Sequence, residues 1–528
     1  MEIARSDNIS RRCLVFGAAA LCAIGNDNTE AAEKLGSNDL AVTKPRTGDF
    51  SFSDLLDRAQ EQARKPYMVA QPAPPSAIKS LSYDAYREIQ FRREKAFLSE
   101  AGAFRLHLFH LGYLFTAPVT INIQRGGVFV PIPYARNLFE FGKNNMTGKS
   151  DVNMGFAGFK LTYPLEQADK GDEIASFLGA SYFRVLASGQ RYGISARALA
   201  ISTIGDEKEE FPSFREFWIF QPKADDRSIK IFALLDSPST TGAYEFEIAP
   251  GAITTVDTKL VLFPRVALGN IGIAPFSSMY FYDENDQKPA GDFRPEVHDS
   301  DGLQIHRADD EWVWQPLKRT GSARISRSPA SNSRGFGLFQ RDRLFEHYED
   351  LEAVYQRRPS YWVEPSNPWG NGSIDLLELP TADETHDNVV AFWRPDQTYP
   401  PQTPVEFSYR LTATSDGVHP LARAVNTFEV GANLTHSSRG RDSDAYRVLV
   451  DFEGEALAAL GPELKGLDIV TDSGPTNVVS SRLVWNPENK RVRAILDFRF
   501  GEKTAKVSAY LRADGQKLSE TWHYVLGA

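Results

Sequence analysis

The chain has 528 residues, of which 42% are hydrophobic and 24% are charged, and its formal net charge is −10. This length exceeds one ordinary hydrophobic core and predicts two domains. The acidic balance argues against a polyanionic partner such as nucleic acid, because phosphate contacts need an excess of basic side chains. The 34 Phe, 19 Tyr, 38 Gly and 31 Pro residues favour short strands separated by turns.

Residues 1–30 have the features of an export signal of the twin-arginine type. Arg11 and Arg12 precede an apolar run from Leu14 to Ile24 that ends among small residues. This run is too short to span a bilayer and suits the hydrophobic region of a signal peptide. The alternative interpretation is an arginine pair that precedes an apolar stretch by chance.

Both cysteines of the chain, Cys13 and Cys22, lie inside this segment. The mature chain would therefore have no thiol, which excludes disulfides, thiol catalysis and cysteine-ligated zinc. No later segment is long and apolar enough to predict a membrane span. Together these features predict a periplasmic protein.

Two short helices are predicted before a β-rich region. The first begins at Ser53 and ends at Pro66, and the second runs from Ser82 to Ile89, both with apolar residues at helical spacing. Strand-like runs separated by turn residues follow from about residue 104. Examples are residues 119–123, 228–235, 244–248 and 258–263. This pattern predicts a large antiparallel β-sandwich over residues 45–393.

The C-terminal part predicts a second, smaller β domain. Residues 394–404 contain four prolines, which suit a semi-rigid linker. Residues 405–528 then contain about seven strand-like segments, a rhythm typical of an immunoglobulin-like sandwich. Examples are residues 405–412, 446–452, 491–500 and 506–512. The predicted fold class is therefore all-β, with a large N-terminal sandwich and an immunoglobulin-like C-terminal sandwich.

Two short acidic segments, residues 295–303 and 383–393, each contain a His-Asp pair. Two carboxylates held on opposite sides of a sugar linkage are the basic machinery of glycoside hydrolysis. Each segment could supply one of them, with Asp299 and Asp387 as the candidates. The same segments also suit structural turns, because Asp side chains in polar turns bond their own backbone.

Other kinds of chemistry find less support in the sequence. The His-Asp pairs could hold a divalent metal, but neither histidine has a second one at an H-x-x-x-H spacing. The sequence has no G-x-S-x-G elbow, no P-loop and no G-x-G-x-x-G after a strand. We therefore expect no metal and no cofactor.

Several side chains are candidates for substrate binding. Tyr182, Arg184, Trp362 and Trp393 could line a cleft, because sugars present flat apolar faces to rings and hydroxyls to arginine. The alternative is that these residues belong to the core of the sandwich.

Three further polar residues lie beside the candidate carboxylates or on a nearby element. Asp301 and Glu384 are expected to support Asp299 and Asp387 in holding the substrate. Tyr355 lies on a predicted short helix that begins near Asp350, where it is either structural or passes protons and positions water.

A series of motifs gives the chain a family resemblance. In order, the motifs are 155–159, 177–184, 193–201, 214–218, 234–237, 241–244, 295–303, 334–338, 358–360 and 518–522. This order resembles the periplasmic glucan biosynthesis proteins of the G and D types, which act in making osmoregulated periplasmic glucans. The resemblance covers nearly all of the mature chain, and the twin-arginine start looks more like the D type.

The resemblance implies a fold and an activity. The fold is a large N-terminal sandwich joined to a smaller immunoglobulin-like domain, and the activity is endo-acting β-1,2-glucan hydrolysis with inversion at the anomeric carbon. It implies that Asp387 of the Asp-Asn motif is the acid and Asp299 the base. It also implies that Tyr355, which precedes the Arg-Pro-Ser motif, is the family tyrosine. The chain departs from its relatives at His386 and Asp301.

Two other functions remain open from the sequence. The chain could be a non-catalytic glucan-binding factor that assists a membrane glucosyltransferase in glucan biosynthesis. It could also be a hydrolase for another linkage or for a cyclic glucan. Exposed edge strands leave the formation of a homodimer open.

Overall fold

Strands dominate the protein: the computed structural model contains 48% strand and 10% helix, which confirms the predicted all-β class. The structure describes residues 50–70, 76–99, 102–144, 154–167, 171–205, 207–430, 445–472, 477–499 and 505–526. The predicted signal peptide, residues 1–30, lies outside these ranges. Among the described helices, none combines the length and the apolar character that a bilayer crossing requires.

The chain forms two units, Met1–Pro275 with Arg394–Ala413, and Phe276–Trp393 with Thr414–Ala528. The predicted linker, residues 394–404, falls in the first unit, and so does the strand that follows it. That strand, Val405–Thr414, pairs antiparallel with Thr254–Pro264 over nine residue pairs from Val405–Leu262 to Ala413–Thr254. The prolines therefore precede a strand of the first unit, and the units differ from the predicted domains 45–393 and 405–528.

Local capping explains the predicted helices of the first unit. Helix α1, Phe52–Ala63, begins one residue before Ser53, and its capping residue is Ser51, because Ser51 and Asp54 each accept a hydrogen bond from the other's backbone N–H. Its buried face packs on a cluster of strand residues that includes Phe232. Helix α2 is Ser76–Lys79, and helix α3, Tyr83–Arg87, is capped by Ser82 as predicted.

Most strands of the first unit form two series of hydrogen-bonded neighbours. The orders are β2-β6-β7-β8-β9-β15 and β25-β14-β13-β12-β11-β3-β4, with β10 paired to β15 and β1 to β5. The four strands predicted above correspond to β3, β12, β13 and β14. The bounds are β1 Gln90–Phe91, β2 Arg105–Phe109, β3 Thr120–Arg125, β4 Val128–Pro131, β5 Phe139–Glu140, β6 Gly158–Tyr163, β7 Asp172–Leu178, β8 Tyr182–Val185, β9 Ser195–Arg197, β10 Leu199–Ile201, β11 Ser213–Ile219, β12 Ile229–Asp236, β13 Thr240–Ala249, β14 Thr254–Pro264, β15 Ile271–Ser278 and β25 Val405–Thr414.

The second unit contains four groups of strands. Their orders are β28-β31-β33-β19-β18-β21-β22, β26-β27-β30-β29, β24-β23-β20 and β16-β17, with β32 paired to β31. The bounds are β16 Tyr280–Tyr282, β17 Val297–His298, β18 Gly302–His306, β19 Trp312–Pro316, β20 Arg324–Pro329, β21 Gly335–Phe339, β22 Ser360–Pro365, β23 Gly372–Glu378, β24 Val389–Pro395, β26 Arg423–Val430, β27 Ala445–Glu453, β28 Leu467–Asp472, β29 Asn477–Asn486, β30 Arg491–Arg499, β31 Ala505–Ala513, β32 Gln516–Lys517 and β33 Thr521–Leu526.

Helices are short in the second unit. Helix α4 is Glu455–Leu460. The 3-10 turns of this unit are Phe345–His347, Tyr355–Arg357 and Gly461–Glu463, and those of the first unit are Arg93–Lys95 and Arg136–Leu138.

The C-terminal strands share a sheet with earlier strands of the second unit. Strand β33 lies parallel to β19, with Trp314 opposite Trp522. Strand β30 alternates buried and partly exposed residues, and its inward side chains from Val492 to Phe498 join the same hydrophobic cluster as Trp314 and Trp362. The immunoglobulin-like interpretation of this part stays a prediction.

Candidate functional site

The two acidic segments lie on either side of residues 278–280 in the second unit. The Asp299 backbone N–H donates to the Met279 carbonyl (2.8 Å), and the Asn388 N–H donates to the Ser278 carbonyl (3.0 Å). Consecutive carbonyls of an extended chain point to opposite sides, so the two segments flank this stretch. Neighbouring extended segments lie about 4.8 Å apart in the hydrogen-bonding direction. The two segments on opposite sides of residues 278–280 are therefore separated by roughly 10 Å.

The asparagine of the Asp-Asn motif fixes the segment that carries Asp387. The buried Asn388 side chain accepts from the Tyr280 N–H (2.8 Å) and donates to the carbonyls of Tyr280 (2.9 Å) and Leu379 (2.9 Å). These bonds hold the turn between β23 and β24 against residue 280. Asn388 is therefore a structural clamp for the turn that carries Asp387.

The side chain of Asp299 is enclosed and paired with an arginine. Asp299 is 0% exposed, and its Oδ1 lies 3.2 Å from Nε of Arg358. Arg358 is itself buried, and its guanidinium lies 5.2 Å from the ring centroid of Tyr355. The guanidinium supplies the positive charge that a buried carboxylate needs to remain ionised.

Tyr355 connects this ion pair to the second acidic segment. Its hydroxyl donates to Oε2 of Glu384 (3.2 Å), and its ring stacks on Tyr348 at 5.7 Å. The 3-10 turn that carries Tyr355 follows Val354, which has φ 44° and ψ 55°. A β-branched residue rarely adopts this left-handed conformation, which costs on the order of 1–3 kcal/mol and is typical of functional sites.

Glu384 is held by Arg294, a residue outside the sequence motifs described above. Arg294 bonds Glu384 (2.6 Å), Asp350 (3.1 Å) and Asp292 (2.7 Å). A continuous set of contacts thus runs from Asp299 through Arg358 and Tyr355 to Glu384, three residues before Asp387. Asp387 itself is half-buried.

The two carboxylates that precede Asp387 in its loop have partners of their own. Glu384 pairs with Arg294, whereas Asp383 accepts hydrogen bonds from the Thr385 hydroxyl and backbone and contacts the His386 ring. The Thr385 hydroxyl is the main reason that the pKa of Asp383 falls below its ordinary value.

A second acidic group surrounds the buried His298. Its Nδ1 lies 3.0 Å from Oε1 of Gln340 and 3.2 Å from Asp301, and its Nε2 lies 3.1 Å from Glu296. Burial opposes protonation, but the hydrogen bond to Glu296 and the charge of Asp301 outweigh it and raise the pKa of His298 to about 10. Burial also raises the pKa of Asp301 to about 6. His298 is thus a cation that compensates its acidic neighbours.

We expect a pH-dependent loss of stability from His298. The unfolded pKa is about 6.5 and the folded value is about 10, so the contribution is complete below pH 6.5 and is lost as the pH rises toward 10. In this window the free energy of unfolding should fall by about 1.4 kcal/mol for each pH unit. His298→Gln should remove this slope in urea unfolding, whereas the exposed His386→Gln should keep it. An unchanged slope in His298→Gln would contradict the assignment.

One group of ligand-type side chains lies beside His298. Ligand atoms of Glu296, Asp342 and His347 lie within 4.8 Å of one another and line a cavity of about 190 Å³. Two carboxylates and an imidazole suit a divalent cation. In the structure Nδ1 of His347 bonds Asp342, and Glu296 bonds His298. Those hydrogen bonds already satisfy the three side chains without a metal.

The four predicted aromatic and arginine contacts are core residues. Tyr182 and Arg184 lie on β8 in the first unit, each 4% exposed, and Trp362 and Trp393 are 3% and 1% exposed in the second unit. The Trp393 indole N–H donates to the Ala330 carbonyl (3.2 Å). Side chains so enclosed offer almost no surface to a ligand, so their burial disfavours the predicted role in substrate binding.

Asp301 and Glu384, the two acidic residues predicted to support the candidate carboxylates, both accept hydrogen bonds from other residues. The Asp301 carboxylate accepts from the backbone N–H groups of Arg341 and Asp342, and Glu384 accepts from Tyr355. Both are partly exposed. Sequence reasoning missed Arg294, because nothing in the sequence indicates which distant carboxylate an arginine will meet.

Comparisons with known proteins support the family resemblance seen in the sequence. The family model described as periplasmic glucan biosynthesis protein, MdoG, matches residues 50–526. The chain belongs to this family. Glucans biosynthesis protein G of Serratia proteamaculans (strain 568) is 42% identical over 496 residues, 91% of this chain and 93% of the relative. Its namesake in Pseudomonas paraeruginosa (strain DSM 24068 / PA7) is 41% identical over 502 residues, 93% and 96%.

Family membership confirms the resemblance seen in the motif order. The relatives named above carry the G designation, whereas the predicted likeness to the D type depends on the N-terminal segment. That segment lies outside the described residues, so the D-type assignment stays a prediction.

Proposed function

We propose that this member of the family is a periplasmic endo-β-1,2-glucanase that inverts the anomeric carbon during glucan biosynthesis. The observation that supports the proposal best is the meeting of two carboxylate segments across residues 278–280, with Asp299 on one side and Asn388, the neighbour of Asp387, on the other. Inverting glycosidases hold their carboxyl groups about 6.5–9.5 Å apart, which leaves room for a water. The roughly 10 Å between the flanking backbones leaves room for a water between side chains that extend from the two segments.

In this mechanism Asp387 is the general acid. Its proton passes to the glycosidic oxygen as the bond to the anomeric carbon breaks, and the leaving sugar departs as a neutral alcohol. Asp299 is the base that receives a proton from the attacking water on the opposite face. Because Asp299 is 0% exposed, that proton must travel through an intervening hydroxyl, such as a sugar hydroxyl or a second water.

In this mechanism Tyr355 is a positioning residue, and it acts neither as the general acid nor as the base. Tyr355→Phe removes the hydroxyl that holds Glu384, and a hydrogen bond to a charged group contributes about 1.5–3 kcal/mol. We expect kcat on linear β-1,2-glucan to fall about 10- to 100-fold. Tyr192→Phe is the matched control, because Tyr192 also donates to a glutamate, Glu173 (2.8 Å), in the first unit. Equal losses in both variants would contradict a specific role.

The activity is tested with a panel of linear β-glucans that differ in linkage. Mass spectrometry of the products should show mid-chain cleavage of the β-1,2 glucan alone. Proton NMR recorded within minutes should show the α-anomer first, because inversion of a β-linkage releases that anomer. Early β-anomer would overturn the inverting mechanism, and no cleavage of any glucan would overturn the hydrolase assignment.

A second candidate function is a non-catalytic glucan-binding factor that assists a membrane glucosyltransferase. The names of the family and of its relatives favour this function, since they describe biosynthesis. Saturable binding of β-1,2-glucan without release of reducing ends would select this function. The glucosyltransferase partner and the homodimer belong to this proposal, and light scattering of the purified chain tests the homodimer.

A further inference from the structure

A pocket of about 400 Å³ in the second unit combines basic side chains with little negative charge. Its lining includes Arg341, Arg343, Arg423 and His419, together with Asp416 as its only carboxylate among the described residues. The volume is within the range of small-molecule sites. Its residues differ from Asp299 and Asp387 and from the acidic cavity around His298.

Arg343 is the central feature of this pocket. Its Nη1 donates to the carbonyls of Gln356 (3.1 Å) and Arg358, and its Nη2 donates to the Ser360 hydroxyl (3.1 Å). Its Nε is buried without an acceptor. An arginine has five N–H donors, so the Nε–H and one Nη2 N–H remain. These two nitrogens share the edge of the guanidinium that can grip an oxyanion with two hydrogen bonds.

Within the described parts of the chain, no carboxylate forms an ion pair with Arg343. Its hydrogen bonds go to neutral acceptors. Burial is the largest influence and lowers the pKa of Arg343, although the charges of Asp301, Asp416 and Asp342 act to raise it. A partly buried cation whose neighbouring carboxylates form no direct ion pair with it is incompletely compensated.

The other basic residues of the pocket differ in how well they are compensated. Arg341 has both Nη atoms on the Glu520 carboxylate (2.6 and 2.9 Å), so its charge is matched. Arg423 lies 3.6 Å from Glu453, which pairs more closely with Arg491 (2.7 Å). Burial, and then the charge of Arg341, lowers the pKa of Arg423. Arg423 is thus a second cation with incomplete compensation.

We infer that this pocket binds a small oxyanion, a carboxylate or a phosphate monoester, through Arg343 and Arg423. The anion is either free or the charged group of a larger molecule. Asp416 faces the same pocket and repels such a ligand. The inference is independent of the proposed hydrolase activity, because it uses neither Asp299 nor Asp387.

Titration of the full chain with inorganic phosphate at constant ionic strength tests the site. Calorimetry should give one saturable site. Arg423→Gln should weaken binding about tenfold, the loss of one charge-assisted hydrogen bond, and Asp416→Asn should tighten it several-fold. Arg512→Gln, an exposed arginine 3.9 Å from Asp468, is the matched control with unchanged affinity. Arg343 is not varied first, because it also holds the Gln356–Arg358 segment beside Tyr355.

The outcomes separate the alternatives. Phosphate binding that weakens in Arg423→Gln and tightens in Asp416→Asn supports the site. No saturable binding, or equal affinity in all three variants, overturns it. A neutral β-gluco-oligosaccharide whose binding depends on Arg423, in a chain that does not bind phosphate, also overturns it by identifying a sugar site. The affinities for inorganic phosphate and for a hexose phosphate then distinguish a free anion from the charged group of a larger molecule. Tighter binding of the hexose phosphate indicates the charged group of a larger molecule, and equal or weaker binding indicates a free anion.

Discussion

Asp387→Asn is expected to lower the cleavage of linear β-1,2-glucan by about 10²–10⁴-fold. Asparagine keeps the size of the side chain but has no acidic proton to give to the leaving oxygen. Asn388 keeps its three hydrogen bonds to Tyr280 and Leu379, so the turn should stay in place. The measurement is the initial rate of reducing-end release, with the unfolding midpoint as the check on the fold.

Asp383→Asn is the matched control for Asp387→Asn. Asp383 lies in the same loop, but its side chain is 52% exposed and its carboxylate contacts Thr385 and His386. Its loss should leave the rate within about threefold of the parent, since it is separate from the contacts that reach Asp299. Wild-type rates in Asp387→Asn would sink the assignment of the acid, and equal losses in both variants would indicate a disturbed loop.

Glu520→Gln should lower the free energy of unfolding by about 3–5 kcal/mol at pH 7, the usual cost of breaking a buried ion pair. Glu520 is 0% exposed and accepts from both Nη atoms of Arg341, from the Ala424 N–H (2.8 Å) and from His419 (2.9 Å). Glutamine fills the same space but leaves the Arg341 charge without its partner over the Trp314 ring. Urea unfolding monitored by tryptophan fluorescence measures the change.

The loss in Glu520→Gln should depend on pH. Burial by itself raises the pKa of Glu520, but the charge and hydrogen bonds of Arg341, and then of His419, outweigh it and lower the pKa to about 2. A depressed folded pKa means that the contribution is complete above the unfolded value of about 4.3 and is lost as the pH falls toward 2. The difference in the free energy of unfolding between the parent and Glu520→Gln should therefore decrease as the pH falls from about 4.3 toward 2.

A matched surface change separates this effect from general charge loss. Asp468→Asn removes a carboxylate that is 73% exposed and 3.9 Å from Arg512. Exposed pairs contribute about 0–1 kcal/mol, so its stability should stay near that of the parent at every pH. A Glu520→Gln difference that persists unchanged at pH 2 would show that the lost interaction is not the ionised carboxylate.

Strand prediction succeeded where one face of a strand meets solvent. In β30 the buried residues Val492 to Phe498 alternate with more exposed ones, most of them charged, and this period of two is a property of the local sequence. In β8 all four residues from Tyr182 to Val185 are buried. A strand covered on both faces has no alternation, so the pattern alone could not decide whether Tyr182 and Arg184 belong to the core or bind substrate.

The proline-rich segment shows a similar limit. Its prolines correctly indicated an interruption, because proline cannot donate to a β ladder. They carried no information on which sheet the next strand joins. Val405–Thr414 pairs with Thr254–Pro264, about 150 residues earlier, and that choice depends on the matching of whole strand faces.

By itself the sequence determined the all-β class, the family and the two carboxylate segments, because alternation, turn residues and motif order are written locally along the chain. Only the tertiary structure decided which distant groups meet. It placed Asp299 and Asn388 on either side of residues 278–280, paired Asp299 with Arg358 and joined Tyr355 to Glu384. It left Arg343 without a direct ion pair among the described residues. Such pairings span tens of residues, and their energies depend on distance and burial, which appear only when the strands have packed.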